Sequence, residues 1–231
     1  MKKNLKREII TTSDGSTTIH FPELDEHYHS KHGAINEAKH VFIDKGFDHV
    51  LESKAFQELH VLEIGFGTGL NAFITYLEAL KVSQKVYYVG VEAYPVSMEE
   101  VKCLNYLKQL SAQDQVAVFD HFHQSSWGDQ QAITDSFFLT KRQQFFEDID
   151  DKSCYNLIYF DAFGARVQPT LWEVDIFKKM YDALLDQGVL VTYSAKGSVR
   201  RAMQEVGFTV ERLPGPPGKR EMLRATKIMN G

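Results

Sequence analysis

Three groups of residues in this sequence are of types and spacings that could do chemistry together. The first is Glu63-Ile64-Gly65-Phe66-Gly67-Thr68-Gly69, an acid followed by three alternating glycines behind a short apolar run. Glycines in such a turn let the backbone bend sharply and bring a ligand against the main chain. A helix starting there offers free N–H groups to a carboxylate or phosphate. The second is Glu92, at the end of the next apolar run, where an acid can accept hydrogen bonds from both hydroxyls of a ribose. The third is Asp161-Ala162-Phe163-Gly164, behind Leu157-Ile158-Tyr159-Phe160, the place where open α/β sheets put their ligands.

The pattern narrows the ligand. A dinucleotide fingerprint needs glycine at the third place of G-x-G-x-x-G, and Leu70 stands there. G-x-G-x-G after an acid suits S-adenosylmethionine better than NAD. An acid at position 161 would then lie beside a methyl donor. It could hold a substrate amine, accept its proton, or orient the donor's amino group; as a purely structural residue it would cap the following turn. A primary alkylammonium titrates near ~10 and must lose a proton before it attacks. A partly desolvated carboxylate suits that task, although burial also raises its own pKa.

These residues need a sheet to position them. His60 to Ile64 reads as a buried strand, with Leu70, Phe73, Ile74 and Leu77 at helical spacing behind it. Val86 to Glu92 reads as a second strand. Ser97-x-x-Glu100 forms a capping box before Met98, Val101, Leu104 and Leu107. A third strand is expected at Phe137 to Lys141 and a fourth at Leu157 to Phe160. Trp172, Ile176, Phe177, Met180, Tyr181 and Leu184 form an amphipathic stripe, and Val189 to Tyr193 a fifth strand. A helix over Gly197 to Val206, a strand from Gly207 to Val210, a turn at Pro214 to Gly218 and a strand over Glu221 to Thr226 complete the alternation. The expected architecture is α/β: a doubly wound, mainly parallel, seven-stranded Rossmann-like sheet with one antiparallel edge. Residues 1–50 fall outside the alternation and are expected to form an N-terminal extension packed on the core, with a helix near Ile35 to Phe42; residues 51–231 form the catalytic domain.

At 231 residues the chain has room for one substantial core but not for two catalytic domains. No run reaches the roughly 18 apolar residues of a membrane helix, and the basic opening MKKNLKREII leads into no signal-length apolar stretch. Two cysteines, Cys103 and Cys154, lie outside any metal-ligand spacing. A reduced cytoplasmic setting is expected, with both thiols packed as small apolar groups. The net charge of −5 argues against a protein that grips nucleic acid with its whole surface, yet from Lys196 onward eight cations face three acids. Such a segment could meet phosphates, or simply be solvated. His20, His27, His29, His32 and His40 crowd the N-terminal segment without the acid or cysteine partners of a recognised metal site, so no metal is expected. Trp127 could stack on a base, but packing is the commoner role of a lone tryptophan. Phe160, Phe163 and Trp172 flank the third group at a spacing that also suits core burial.

Six segments together resemble a known family. They are Thr12-Ser13-Asp14-Gly15-Ser16, Asp25 to Ser30 with Gly33 and Glu37, Glu63 to Asn71, Asp161-Ala162-Phe163, the Trp172 helix, and Val199-Arg200-Arg201 through Gly207-Phe208 to Gly218-Lys219-Arg220-Glu221-Met222-Leu223. This pattern resembles the methyltransferase half of the bifunctional enzyme that completes 5-methylaminomethyl-2-thiouridine at the tRNA wobble position. The resemblance implies the class I S-adenosylmethionine-dependent methyltransferase fold and N-methylation of 5-aminomethyl-2-thiouridine in tRNA. It implies that Gly65, Gly67, Asn71 and Glu92 hold the donor, with Glu63 and Gly69 in the same turn and Tyr28 nearby. Asp161 would border both donor and amine, and Lys219 and Arg220 would lie near the RNA; Phe163 beside Asp161 and Lys196 and Arg200 of the basic segment are further candidates for substrate and RNA contact. The family's longer members carry an FAD-dependent oxidase; a chain ending at Gly231 is expected to use no FAD and to depend on a separate enzyme for the aminomethyl uridine. Where the third strand often leads to an acid near adenine, Gln143-Gln144 follows here, which leaves the adenine contacts unassigned.

Other functions fit parts of the pattern. Methyl or aminopropyl transfer to a small-molecule amine would use a related fold and an acid after the fourth strand, although a polyamine would call for a second acidic patch. A non-catalytic cofactor-binding module would keep the glycine turn without needing Asp161. An NAD dehydrogenase is disfavoured by Leu70.

Overall fold

The computed structural model describes residues 5–53 and 56–228; the first four residues of the basic opening lie outside that range. The chain begins with a small antiparallel sheet of β1 (Glu8–Thr11), β2 (Thr17–Phe21) and β3 (Glu26–His27). Helix α1 (Ala34–Ala38) continues as a π-helical stretch, Lys39–Phe47, into α2 (Asp48–Glu52). The alternation follows: β4 (Leu59–Ile64), α3 (Leu70–Val82), β5 (Val86–Val91), the short helices α4 (Met98–Val101) and α5 (Tyr106–Gln109), and α6 (Val116–Gln124). Strands β6 (Gln130–Ala132), β7 (Phe137–Arg142) and β8 (Tyr155–Phe160) lead to α7 (Val174–Ala183), β9 (Leu184–Thr192), α8 (Gly197–Glu205), β10 (Phe208–Pro214) and β11 (Glu221–Lys227).

The main sheet runs β10-β11-β9-β8-β4-β5-β7-β6. Strands β9, β8, β4, β5 and β7 are mutually parallel, as crossover helices require, while the helix-free connection makes β10 and β11 an antiparallel edge. The strand order reverses between β4 and β8, and this switch point is where the ligand crevice opens. Residues of the parallel strands alternate between two cores because both faces are covered. Val61, Tyr88, Leu157 and Tyr159 pack with the 34–52 helical run, α3 and α6; Leu62, Ile158, Phe160 and Leu190 pack with α7 and α8.

All seven expected strands form, and the capping box is present, with Ser97 accepting from the Glu100 amide and Glu100 accepting from the Ser97 amide. Several expectations change. The main sheet has eight strands, since β6 adds an antiparallel edge beside β7; its sequence, Gln-Gln-Ala, has no apolar alternation to reveal it. The amphipathic stripe spans two elements: Trp172 belongs to a 3-10 turn, Pro169–Trp172, and Leu184 already starts β9. Leu104 and Leu107 lie beyond α4, because that segment breaks into short helices. Cys103 and Cys154 are exposed rather than packed, each thiol lying against a nearby carbonyl. The N-terminal segment holds a three-stranded sheet and a longer helical run than expected. Side chains far along the chain fasten it: Asn105 accepts from the Thr17 amide and donates to the Gly15 carbonyl, both at 2.9 Å, and Arg7 reaches Glu100 and the Tyr94 carbonyl. Among the described residues no helix is long and apolar enough to cross a membrane.

Candidate active site

Register brings the three chemical groups together. Ile64 pairs with Val91 on one side and with Phe160 on the other, so β4, β5 and β8 end at one level. The residues that follow, Gly65, Glu92 and Asp161, therefore stand side by side. The Gly65 amide donates to the Val91 carbonyl at 3.0 Å, and the Asp161 amide to the Ile64 carbonyl at 2.9 Å. The turn needs its glycines. Gly65 and Gly67 have φ of +93° and +49°, and a Cβ on them would lie 2.6 Å from the Asp161 carbonyl oxygen and 2.7 Å from the Tyr28 ring.

A crevice of about 310 Å³ opens over this turn, lined among others by Tyr28, Gly67, Asn71, Glu92, Asp161 and Phe163. Glu92, buried, accepts from the Gly67 amide at 3.1 Å and the Tyr94 amide at 2.9 Å; burial pushes its pKa up and these hydrogen bonds oppose the shift. Asn71, from the first turn of α3, uses its one NH2 group twice, donating to Glu63 and to Asp161 at 2.9 Å each. Its carbonyl oxygen is a buried acceptor with no partner. Burial holds the Glu63 carboxyl well above the usual carboxylate range, against the pull of the Asn71 hydrogen bond. Asp161 is pushed up to about 7, first by burial and then by the charge of Glu37, with Asn71 and Lys219 pulling the other way. Gly69, expected in the donor set, lies behind the crevice against Phe66 and His123.

A second cavity of about 220 Å³ shares Asp161, Tyr28 and Phe163 and is closed by Glu26, Glu37, Tyr193 and Lys219. Glu37, Glu26 and Tyr193 were not among the expected site residues. They come from α1, β3 and the end of β9, and no local motif ties them to Asp161. Lys219 departs from its expected place at the RNA surface: its ammonium lies 2.5 Å from Glu37 and 3.7 Å above the centre of the Tyr193 ring. Phe145, Phe146 and Glu147, which no sequence motif marks, line the donor crevice just beyond Gln143-Gln144, which face a neighbouring groove instead.

The remaining candidates disperse. Lys196 and Arg220 are exposed, and Arg200 is half-buried on α8; none of them lines either cavity. Arg212 and Arg224 pair with Glu221 and Glu211 on the same antiparallel edge. Trp127 packs edge-on against Phe66 under the Lys141 ammonium, and Trp172 is core, its indole N–H donating to the Phe163 carbonyl at 2.8 Å. Among the described residues no three His, Cys, Asp or Glu side chains are grouped to hold a metal. His29 is buried against Thr18, and burial lowers its pKa to about 4.

A family model described as S-adenosyl-L-methionine-dependent methyltransferase matches residues 110–228, half of the chain. The chain belongs to that family. Among similar proteins, the tRNA 5-methylaminomethyl-2-thiouridine biosynthesis bifunctional protein MnmC of Leptospira borgpetersenii is 29% identical over 87% of this chain and 32% of its own length. The MnmC protein of Saccharophagus degradans is 26% identical over 98% of this chain and 37% of its own length. The chain thus spans about a third of the length of these relatives. Among solved structures, MNMC2 from Aquifex aeolicus superposes with a TM-score of 0.73 at 22% identity, covering 97% of this chain and 71% of that one. Spermidine synthase from Thermotoga maritima gives 0.51 at 15% identity over 96% of this chain and 74% of that one, a likeness of fold alone.

The crevice of this methyltransferase fits the family's donor. Glu92, at the end of β5, keeps free lone pairs for ribose hydroxyls beside the glycine turn. The unpartnered Asn71 carbonyl, with the carboxyls of Glu63 and Asp161 next to it, suits the donor's ammonium group.

Proposed function

We propose that this methyltransferase transfers the methyl group of S-adenosylmethionine to the exocyclic amine of 5-aminomethyl-2-thiouridine at the tRNA wobble position, giving 5-methylaminomethyl-2-thiouridine. The observation that carries this reading is the position of Asp161, the carboxylate shared by the donor crevice and a second, carboxylate-rich cavity. An amine seated in that second cavity would face the donor across Asp161. The likeness to MnmC proteins over most of this chain supplies the substrate class.

Bound in the crevice, the donor supplies an electrophilic methyl on a sulfonium. Gly65, Gly67, Asn71 and Glu92 hold and orient it, while Tyr28 closes over the turn. Asp161, ionised above about pH 7, accepts one proton from the acceptor's ammonium nitrogen, leaving a lone pair aimed at the methyl carbon. That nitrogen forms the new N–C bond as the C–S bond breaks, its electron pair remaining on sulfur. Most of the rate then comes from alignment of the reacting atoms, and no metal or covalent intermediate is needed. The described part of the N-terminal extension, residues 5–50, completes the site by bringing Tyr28 and Glu37 to it. A separate enzyme supplies the aminomethyl uridine, and the cytoplasm is where these partners meet.

Expression of this chain in a strain whose wobble uridine stops at 5-aminomethyl-2-thiouridine tests the reading in cells. Mass spectrometry of tRNA nucleosides should find the methylated nucleoside in place of its precursor. An unchanged precursor in cells that contain the folded protein would count against it.

A further inference from the structure

We propose that the second cavity is a seat for a primary alkylammonium, and that the ammonium of Lys219 occupies it as a tethered surrogate until the acceptor's own ammonium displaces it. The inference deepens the proposed function and rests on that reading for the identity of the acceptor.

The cavity has the chemistry of such a seat. Its walls combine aromatic surface from Tyr28, Phe163 and Tyr193 with the carboxylates of Glu26, Glu37 and Asp161. A cation over an aromatic face and beside a carboxylate is held by both, the more strongly where water is excluded. Each carboxylate has a distinct occupation. Glu26 is engaged by Arg166 at 2.9 Å, and Asp161 by Asn71. Glu37 receives the Ser30 amide on one oxygen at 2.8 Å and is nearly buried. Its other oxygen has Lys219 as its partner.

Lys219 therefore shows what the cavity binds. Its ammonium, a primary alkylammonium, rests on the Tyr193 ring and on Glu37. The Tyr193 hydroxyl donates to the Ala162 carbonyl at 2.8 Å, which fixes that ring beside Asp161. Lys219 itself comes from the turn between β10 and β11, next to exposed Arg220, and its side chain remains about a third exposed. A lysine on a surface turn can swing outward without any rearrangement of the sheet. Outside, it would meet RNA phosphates and be compensated there for the ion pair it leaves, so docking of the polynucleotide and opening of the seat are coupled. A free nucleoside offers no phosphate in exchange and must compete with the surrogate unaided.

The test is titration calorimetry on the full chain saturated with S-adenosylhomocysteine. The probes are 5-aminomethyluridine and its uncharged analogue 5-hydroxymethyluridine. Lys219→Met, which keeps the apolar stem and removes the charge, should bind the amine at least about tenfold more tightly than the unaltered protein. It should leave the hydroxymethyl analogue unchanged. Adding Glu37→Gln to that variant should remove the gain. Lys219→Gln serves the same comparison if the methionine variant does not fold. Equal or weaker amine binding by the folded variant overturns the proposal. The two readings fail separately: unchanged tRNA nucleosides together with a tenfold gain would retire the tRNA substrate and keep the ammonium seat, whereas methylated tRNA without any gain would retire the seat alone.

Discussion

At the scale of single residues, Asp161 and the glycine turn decide whether the site can bind the donor and activate an amine. A carboxyl pushed up to about 7 is protonated below that pH and ionised above it, so the base form is lost as pH falls. The value of kcat/KM should rise as pH climbs through about 7 and level off above. Asp161→Asn should cut turnover by about 100-fold or more and abolish that limb while leaving the thermal unfolding profile near that of the parent; near-normal turnover would remove Asp161 from the mechanism. At Gly67, where φ is +49° and a Cβ would sit 2.7 Å from Tyr28, Gly67→Asp should abolish donor binding, and unchanged affinity in calorimetry would refute the assignment of the turn. Both residues could be read from the sequence because local spacing defines them: an acid and glycines after one apolar run, an acid after another. Tyr193 could not, and Glu37, although the family resemblance marks it, carries no local sign of its place, since both reach Asp161 only through the folding of distant segments. Lys219 was legible as a cation but not as one that points inward.

At the scale of elements, the link between the N-terminal sheet and the body is short and specific. Asn105, just before α5, caps the connection by holding the Thr17 amide and the Gly15 carbonyl, and its own amide donates to the Thr17 hydroxyl at 3.0 Å. Asn105→Ala leaves those backbone groups unsatisfied, at a cost of about 1–3 kcal/mol. Hydrogen exchange should quicken at Thr17 and Thr18, and donor affinity should fall because Tyr28 follows this sheet; unchanged exchange would contradict the latch. The parallel strands were legible from their apolar runs, and the capping box from Ser97 and Glu100. The sheet of β1 to β3 was not, because strands of two to five residues depend on partners 88 positions away, such as Asn105 for Thr17. The edge strand β6 was hidden for a similar reason, being held by pairing with β7 rather than by its own side chains.

At the scale of the whole molecule, the excess of cations after Lys196 was plain in the sequence, but its distribution was not. Arg212 and Arg224 neutralise acids on their own edge and Lys219 rests in the site, so Lys196, Arg200 and Arg220 are the expected cations free to meet a polynucleotide before Lys219 is drawn out. Replacing these three with alanine should weaken tRNA binding and lower its dependence on log salt by about one unit of slope for each phosphate left without its cation. An unaltered slope would return these side chains to a merely solvated role. The doubly wound sheet puts its crevice at the β4/β8 switch point, as the alternation implied. What the alternation could not convey is that the N-terminal segment folds back to wall that crevice.

The most direct test of the central claim is a reaction of purified components. The protein would be incubated with S-adenosylmethionine carrying a labelled methyl group and with tRNA from cells that lack the final methylation. Nucleosides would then be separated and analysed by mass spectrometry. The label is expected on the nitrogen of 5-aminomethyl-2-thiouridine, and on no other nucleoside. Absence of label there, with donor binding demonstrated on the same preparation, would contradict it.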